Sequence, residues 1–352
     1  MSGGLDSSAV AAMMVGQGCE VLGLTLHMFK EGSRCCSLED VERAREICSF
    51  LGIRHYVVNA VDAFHDCIIK PFVDEYARGR TPSPCILCNE HIKFGTLMHR
   101  ARQLGCTHVA TGHYARITRD ENGWHLRTGR DGAKDQSYFL HRLSQAQLAR
   151  SLFPLASWTK DAVAAYVRES GIPFKKRLDA ESQDLCFVSN AGHAPFVERY
   201  HPELRRTGPI VDTEGRELGA HEGYHRFTVG QRGGLGIAAG TRMYVKDMDP
   251  ATNTVVVAPR DGVLRDACLV ERVHWIAGHP PPEGATCSAR PRYRHPGAKA
   301  TLRLRDAGAS VLLQFDRPQF ALAPGQAAVI YDDDEILGGG WIASHHNRTD
   351  ES

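Results

Sequence analysis

The sequence lacks the features that would assign a protein to a special class by composition alone. No apolar run approaches the ~20 residues of a membrane-spanning helix, and no secretory signal with a basic start and an apolar core is visible. Lys and Arg number 42 against 41 Asp and Glu, a formal net charge of +1. A nucleic-acid binder of this composition has to use local basic patches rather than a global field. We therefore expect a cytoplasmic protein that makes no membrane contact.

The 352 residues suggest two or three domains. Residues 1–200 alternate helical and strand patterns, which predicts an α/β domain with a parallel sheet covered on both faces. Residues 201–264 contain hairpin patterns and many glycines, which predicts a small β-rich middle domain. Residues 265–346 read as closely spaced short strands, which predicts a C-terminal β-barrel, and residues 347–352 read as a tail.

The stretch SGGLDSS at residues 2–8 leads directly into a predicted helix. Its glycines allow a tight turn that points amides at an anion, the serine hydroxyls add donors, and the helix N-terminus adds positive potential. An aspartate in such a loop makes sense where Mg²⁺ bridges it to phosphates. The stretch has no lysine, so it is not a Walker loop. The alternative is a flexible glycine-rich segment. The candidate phosphate-binding residues are Ser2, Gly3, Gly4, Asp6 and Ser7.

Eleven cysteines are many for a protein of a reducing compartment, where they are catalytic, metal-bound or packed in a core. Two of them, Cys85 and Cys88, stand in RTPSPCILCNEHIKFG (80–95), and the pair reads as a metal site, half of a disulfide or a reactive thiol. A second Cys-x-x-Cys is absent, which disfavours structural zinc. A helix predicted to begin near Asn89 would place Cys88 at a helix N-terminus, where thiol pKa values fall. Cys35 and Cys36 receive no assignment.

Eight segments carry a resemblance to a known family. SGGxDS resembles the loop of the ATP pyrophosphatases, and over nearly the whole chain there follow in order GRTPSPCILCNEHIKFG, ATGHYAR, KDQSYFL, ESQDLCF, TVGQRGGLGI, RYRH and PGQAAVIY. Together they resemble the bacterial tRNA-specific 2-thiouridylases. The resemblance implies a Rossmann-like fold of the adenine nucleotide alpha-hydrolase type. In that fold a strand precedes the loop, and we expect that this first strand is missing here.

The resemblance also implies a reaction. The family replaces the 2-oxygen of the tRNA wobble uridine by sulfur, with ATP and Mg²⁺, and releases AMP and pyrophosphate. It implies that Cys186 carries a persulfide, that Cys88 is the nucleophile or the resolving thiol, and that the two cycle through a disulfide. It places Leu26 and Gly112 on ATP and Asp6 on Mg²⁺. The sulfur is expected from a cysteine desulfurase or a sulfur-relay protein.

The expected tRNA contacts are based partly on the composition of one segment and mostly on the family resemblance. RPRYRH (290–295) alternates basic and aromatic residues, which suits RNA backbone and bases. Neighbouring strand residues face opposite ways, so the spacing does not decide which members of this segment face the RNA. The expected tRNA contacts are Ser83, Pro84, Cys85, His113, Lys134, Asp135, Gln136, Arg292, Tyr293, Arg294 and Gln326.

Three alternatives stay open from sequence. Cys85, Cys88 and Cys186 could hold three corners of a [4Fe–4S] cluster and leave one iron open to sulfur. Many relatives carry aspartate at the position of Cys85, which leaves the role of that residue open. The protein could instead be a pyrophosphatase that uses ammonia, although the two cysteines argue against this. It could also be a tRNA-binding or iron–sulfur scaffold whose loop has decayed.

Overall fold

A computed structural model describes residues 1–29, 38–173, 185–188 and 191–346. Cys35, Cys36 and the expected tail at 347–352 lie outside these ranges. The helices are α1 (Leu5–Gly16), α2 (Leu38–Phe50), α3 (Val61–Phe64), α4 (Lys70–Ala77), α5 (Pro84–Leu87), α6 (Met98–Gln103), α7 (Gln145–Leu148), α8 (Lys160–Glu169) and α9 (His193–Glu198). Two π-helical stretches, His65–Ile69 and Cys88–Leu97, make the helices continuous over 61–77 and 84–103. Short 3₁₀ segments cover Ser137–Leu140, Pro202–Leu204, Tyr224–Arg226, Arg260–Val263 and Asp306–Gly308. Within the described ranges no helix is long and apolar enough to cross a membrane.

The strands follow the predicted change from α/β to β structure. They are β1 (Leu22–His27), β2 (Arg54–Asn59), β3 (Val109–Ala110), β4 (Ala115–Asp120), β5 (Gly123–Thr128), β6 (Ser151–Leu152), β7 (Gly208–Val211), β8 (Glu217–His221), β9 (Met243–Asp249), β10 (Thr254–Pro259), β11 (Leu264–Trp275), β12 (Thr286–Arg290), β13 (Ala298–Arg305), β14 (Ser310–Phe320), β15 (Ala327–Asp332) and β16 (Glu335–His346).

The first domain contains two pairs of parallel strands. β1 pairs with β2 from Leu22↔Arg54 to His27↔Asn59, and β3 pairs with β6, both in parallel. The crossover from β1 to β2 contains helix α2, and that from β3 to β6 contains the strands β4 and β5 and the short helix α7. The predicted α/β fold class is confirmed.

The other two domains are β structures. The middle one is a four-stranded sheet in the order β8-β7-β10-β9, and the predicted hairpin is its β7–β8 pair. In the last domain β11, β14, β13, β12, β15 and β16 follow one another, and β11 also pairs with β16. That pairing closes six strands into a barrel and removes the exposed sheet edges.

One hairpin of the first domain joins this barrel sheet, which the sequence analysis did not predict. β4 and β5 pair antiparallel, and Arg127 of β5 pairs with Glu335 of β16. The signal was present, because an Asn-Gly turn separates two alternating segments. Arg127 also binds Asp334 and Glu335 through its guanidinium group.

The apolar cores run across the domains. One cluster contains Phe72 and Ile92 of the first domain together with Val245 and Val255 of the middle sheet. A second cluster joins residues of the first domain, among them Tyr138, to the barrel strands β15 and β16. Shared burial of this kind fixes the domains against one another, since separating them would expose apolar surface.

Candidate active site

The loop at residues 2–7 has the geometry that its glycines predict. Gly3 adopts φ +67°, a left-handed conformation that favours glycine, and Gly4 is the extended N-cap of α1. The two hydroxyl oxygens of Ser2 and Ser7 lie 3.1 Å apart, and Ser7 donates to the Gly4 carbonyl at 3.0 Å. The loop is tied to β1, because Thr25 Oγ1 donates to the carbonyl of Met1 at 2.6 Å. Amides and hydroxyls thus meet at the N-terminus of α1, as an anion site requires.

Gly112 lies directly against this loop. A Cβ atom added at Gly112 would lie 2.7 Å from Asp6 Cβ and 3.4 Å from the Ser7 amide nitrogen. Gly112 follows the carboxyl end of β3, the sheet edge at which open α/β folds bind ligands. Close approach of the two backbones therefore explains why a glycine stands at this position.

Asp6 is held by two side chains from distant parts of the chain. Lys160 Nζ lies 2.9 Å from Asp6 Oδ1 and 2.8 Å from Oδ2, and the Tyr114 hydroxyl donates to Oδ1 at 2.9 Å. Lys160 is the first residue of α8, whose N-cap Thr159 accepts a hydrogen bond from Ala162 N. A lysine ammonium therefore stands at the phosphate loop, although the loop sequence contains no lysine.

His113 connects the phosphate loop to the cysteine helix. Lys93 Nζ donates to His113 Nε2 at 3.5 Å, so Nδ1 carries the proton and donates to Thr111 Oγ1 at 2.7 Å. The ring also packs on Phe94, at 5.7 Å between centroids. Burial, reinforced by the Lys93 ammonium, holds the pKa of His113 well below its usual range. The ring is neutral at pH 7 and buried, so packing is the role that its surroundings support.

The cysteine helix begins earlier than predicted. It starts at Pro84 with Ser83 as N-cap and is continuous through Cys88, whose N–H donates to the Pro84 carbonyl. The expectation that Cys88 precedes a helix near Asn89 is wrong. Proline suits the first helical position because its fixed φ is helical and it has no N–H to leave unpaired. Cys85 therefore lies in the first turn and is exposed, while Cys88 lies in the second turn and is partly buried.

The structure brings the two predicted catalytic cysteines to one apolar cluster. Cys88 and Cys186 both pack against the cluster that contains Ile92, Phe72 and Phe187. Leu26 packs against the same cluster and against the second one, so its surroundings are those of a core residue. Within the described ranges no three His, Cys, Asp or Glu side chains are gathered to hold a metal ion. The iron–sulfur role of Cys85, Cys88 and Cys186 stays a prediction.

The segment Lys134–Gln136 is turned largely inward. Asp135 is buried, and its carboxylate accepts from Ser137 Oγ at 2.9 Å and from Arg290 of the barrel at 3.1 Å. Gln136 Oε1 accepts from the Tyr114 amide at 3.2 Å, beside the phosphate loop. Lys134 is half-buried. Asp135 therefore joins the first domain to the barrel, and Gln136 holds the backbone of Tyr114 within the first domain.

The basic segment of the barrel divides into inward and outward side chains. Arg292 is half-buried and donates to the Phe320 carbonyl at 2.9 Å. Tyr293 packs its ring on Phe139 of the first domain, at 4.4 Å between centroids. Arg294 is exposed. Gln326, from the turn before β15, donates through Nε2 to the Thr81 carbonyl at 2.9 Å.

Sequence reasoning missed Lys160 and Lys93. Both contacts are tertiary, and no local pattern marks either lysine as a partner of Asp6 or His113. The one available signal was Thr159, which is typical of a helix N-cap and so predicts where α8 begins.

Three family models match the chain. Residues 1–190 match the model described as tRNA methyl transferase HUP domain, residues 194–259 the tRNA methyl transferase PRC-barrel domain and residues 265–342 the Aminomethyltransferase beta-barrel domain. The domain boundaries at 200 and 264 stay predictions.

Curated relatives match over almost the whole chain. The tRNA-specific 2-thiouridylase MnmA of Solibacter usitatus is 45% identical over 363 residues, covering 97% of each chain. The relative of the same name from Geotalea uraniireducens is 44% identical over 97% of this chain and 93% of its own, and that of Chloroflexus aggregans is 43% identical over 97% of each. Identity at this level over the full length, together with the phosphate loop and the paired cysteines, shows that the chain belongs to the tRNA-specific 2-thiouridylase family.

Proposed function

We propose that this protein catalyses the ATP-dependent 2-thiolation of the wobble uridine of tRNA and releases AMP and pyrophosphate. The observation that carries the proposal is the double contact of residues 112–113. Gly112 lies against the phosphate loop, and His113 binds Lys93 of the cysteine helix. Adenylation of the 2-oxygen and attack of sulfur on C2 have to act in sequence on one carbonyl group of the base, so the two sites must be neighbours.

The first step is the activation of the uracil carbonyl. The 2-oxygen of uracil attacks the α-phosphate of ATP, and pyrophosphate leaves. The amides and hydroxyls of the loop at 2–7 bind the phosphates, and the Lys160 ammonium adds positive charge where negative charge accumulates. The adenylated oxygen then leaves as AMP, which turns a poor leaving group into a good one.

Asp6 is the residue that would hold Mg²⁺, and a carboxylate beside a phosphate loop is a suitable ligand for it. Bound Mg²⁺ supplies charge that neutralises the phosphate oxygens. Both Asp6 oxygens are engaged by Lys160, so a cation at Asp6 has to share or displace that ammonium.

The second step is sulfur transfer between the two cysteines. The terminal sulfur of a persulfide on Cys186 attacks C2, and AMP leaves. The Cys88 thiolate then attacks the Cys186 sulfur, which breaks the S–S bond, leaves sulfur on C2 and forms a Cys88–Cys186 disulfide. A thiol reductant has to restore the two thiols, and a cysteine desulfurase or a sulfur-relay protein has to supply the persulfide. Packing of both cysteines on one apolar cluster supports this sequence.

An iron–sulfur cluster has less support. Among the described residues no group of three His, Cys, Asp or Glu side chains suited to a metal ion is found, and the persulfide chemistry needs only Cys88 and Cys186. We therefore route no step through a cluster. Cys85, Ser83 and Pro84 at the start of the helix remain proposed contacts of the target base, because they precede Cys88 directly and Cys85 is exposed.

The tRNA is proposed to lie along the C-terminal barrel and the first domain. Exposed Arg294 is the member of the basic segment that the burial favours for an RNA phosphate, whereas Arg292 and Tyr293 point into protein contacts. Lys134 is the cationic member of its segment, and an ammonium group suits an RNA phosphate.

Nucleoside mass spectrometry of unmodified tRNA tests the function. The tRNA is incubated anaerobically with the protein, ATP, Mg²⁺ and a persulfide source, in parallel with Cys88→Ser and Cys186→Ser. We expect 2-thiouridine with the wild type and none with either variant. Thiolation that survives both substitutions would disprove the role of the cysteines, and an absence of 2-thiouridine with active persulfide donor would disprove the function itself.

A further inference from the structure

The backbone just before the cysteine helix is held by the C-terminal barrel. The Thr81 amide donates to the Pro324 carbonyl at 2.9 Å, and the Thr81 carbonyl accepts from Gln326 Nε2 at 2.9 Å. Gln326 Nε2 also lies 3.5 Å from the Pro82 carbonyl. Thr81 is buried, so its backbone groups need these partners. We call residues 324–326 the clamp turn.

Gly325, the middle residue of the clamp turn, allows this close approach. Its φ is +88°, and a Cβ atom there would lie 2.9 Å from the Thr81 nitrogen and 3.0 Å from Arg80 Cβ. A side chain would therefore push the turn away from Thr81 as well as strain the turn itself.

The clamp turn is anchored to the closed barrel. The Gly325 amide donates to the carbonyl of Ile342 at 2.9 Å, and the Ile342 amide donates to the Gln326 carbonyl at 2.8 Å. Ile342 is fully buried in β16. Arg80 donates to the same Ile342 carbonyl at 3.3 Å. The turn cannot shift without disturbing a barrel strand.

The middle domain contacts the same segment from another side. Thr81 Oγ1 donates to Thr228 Oγ1 at 3.4 Å, and a Cβ atom at Gly79 would lie 3.0 Å from a Pro250 ring carbon. Residues 79–82 are therefore at the junction of all three domains, two residues before the helix that carries Cys85 and Cys88.

We propose that the clamp turn positions the cysteine helix for sulfur transfer, with Gln326 acting through Thr81 rather than by binding RNA. The proposal rests on the proposed function. The barrel, which also carries Arg294, thereby fixes the position of the helix N-cap, Ser83. It also fixes the position of Cys88 in the second turn of that helix. A displacement of about 1 Å at reacting atoms costs on the order of a hundredfold in rate, so fixing this helix matters for chemistry.

The test compares Gly325→Ala and Gln326→Leu with Gly278→Ala. Gly278 is a matched control in the same barrel, because its φ is +83° and a Cβ atom there meets no other group within 4 Å. For each variant we would measure kcat and KM for tRNA in thiolation, the tRNA dissociation constant, and the alkylation rate of Cys88 by iodoacetamide. Alkylation is read by mass spectrometry relative to exposed Cys19.

Both clamp-turn variants should lower kcat on the order of tenfold or more, with the tRNA dissociation constant within about twofold of the wild type. They should also raise the ratio of Cys88 to Cys19 alkylation several-fold. Gly278→Ala should change neither kcat nor this ratio. Weakened tRNA binding at unchanged kcat and unchanged alkylation would overturn the proposal in favour of a direct RNA contact. The alkylation arm needs no turnover, so its failure is distinguishable from failure of the proposed function. If Gly325→Ala does not fold, the same measurements on Gln326→Leu decide between the two outcomes.

Discussion

The ammonium group of Lys160 contacts both carboxylate oxygens of Asp6, at 2.9 and 2.8 Å, across 154 positions of sequence. The contact supplies at the phosphate loop the positive charge that a Walker loop obtains from its own lysine. It also joins the start of α8 to the start of α1. Two helix N-termini and one ammonium group therefore face the same region.

Replacement of Lys160 should weaken ATP binding. Hydrogen bonds to charged groups contribute about 1.5–3 kcal/mol, so Lys160→Met should raise the ATP dissociation constant by roughly tenfold to a hundredfold. Isothermal titration calorimetry with ATP measures the effect directly. Lys299→Met on the exposed surface of the barrel is the control. Unchanged ATP affinity in Lys160→Met would show that the lysine serves Asp6 alone.

Gly112→Ala should disable the phosphate loop. The new Cβ would meet Asp6 Cβ at 2.7 Å and the Asp6 carbonyl carbon at 3.2 Å, and both atoms belong to the loop and not to a flexible side-chain end. We expect ATP-dependent pyrophosphate release to fall at least about tenfold, since the loop has to move from its binding geometry. Gly16→Ala is the control, because a Cβ atom at Gly16 meets nothing within 4 Å. Equal rates in both variants would contradict the close packing.

Sequence alone predicted the elements that have strong local patterns. The helix–strand alternation, the hairpin at 208–221 and the closely spaced strands of the barrel all appear. Gly112 was identified through family resemblance, and the structure places it against Asp6. The catalytic roles of Cys88 and Cys186 stay predictions.

The features that sequence missed depend on distant contacts. Lys160 reaches Asp6 only after α8 packs beside α1, and nothing periodic in the sequence encodes that meeting. Asp135 is expected from the resemblance to contact tRNA, and only the folded barrel reveals its ion pair with Arg290. The helix start at Pro84 had a local signal, because the Ser-Pro pair is typical of an N-cap followed by the first helical residue.

Metal removal should distinguish the proposed Mg²⁺ from the iron–sulfur alternative. EDTA should abolish AMP formation, because the proposed mechanism relies on a divalent cation that Asp6 would hold to neutralise charge on the ATP phosphates. A ferrous-iron chelator under anaerobic conditions should leave thiolation intact, since no step of the proposed mechanism uses a cluster. Both treatments are followed by nucleoside mass spectrometry and AMP release. Loss of thiolation with retained AMP release under the iron chelator would support a cluster on the cysteines.

The fully buried His141 should make stability fall with acid. Burial lowers the pKa of His141 to about 3, with Arg142 and His274 acting in the same direction, while an unfolded histidine has a pKa near 6.5. The unfolded state therefore binds a proton below pH 6.5 that the folded state does not. The contribution of neutral His141 to the free energy of unfolding is fully present above this pH. It decreases as the pH falls, by about 2 kcal/mol between pH 7 and pH 5.

Urea unfolding at several pH values checks this expectation. His141→Leu removes the titrating group and should flatten the dependence, although it also loses the hydrogen bond to the Tyr138 carbonyl and so lowers stability at pH 7. His113, buried and neutral for the same reason, contributes in the same direction and remains in the variant. A slope unchanged by His141→Leu would show that other groups control the acid response.

Arg294 and Arg292 should differ in their effect on tRNA binding. Arg294 is exposed, so Arg294→Ala should weaken tRNA binding and reduce the salt dependence of the affinity by about one released ion. Arg303→Ala is the control, because Arg303 is another exposed arginine of the barrel and pairs with Glu283.

Arg292→Ala should instead lower the melting temperature, because its guanidinium binds the Phe320 carbonyl inside the protein. Filter binding across a salt series measures the first effect and calorimetry the second. If Arg292→Ala reduces the salt slope and Arg294→Ala does not, the segment must turn over when RNA binds, because only an outward guanidinium can exchange a counterion for a phosphate.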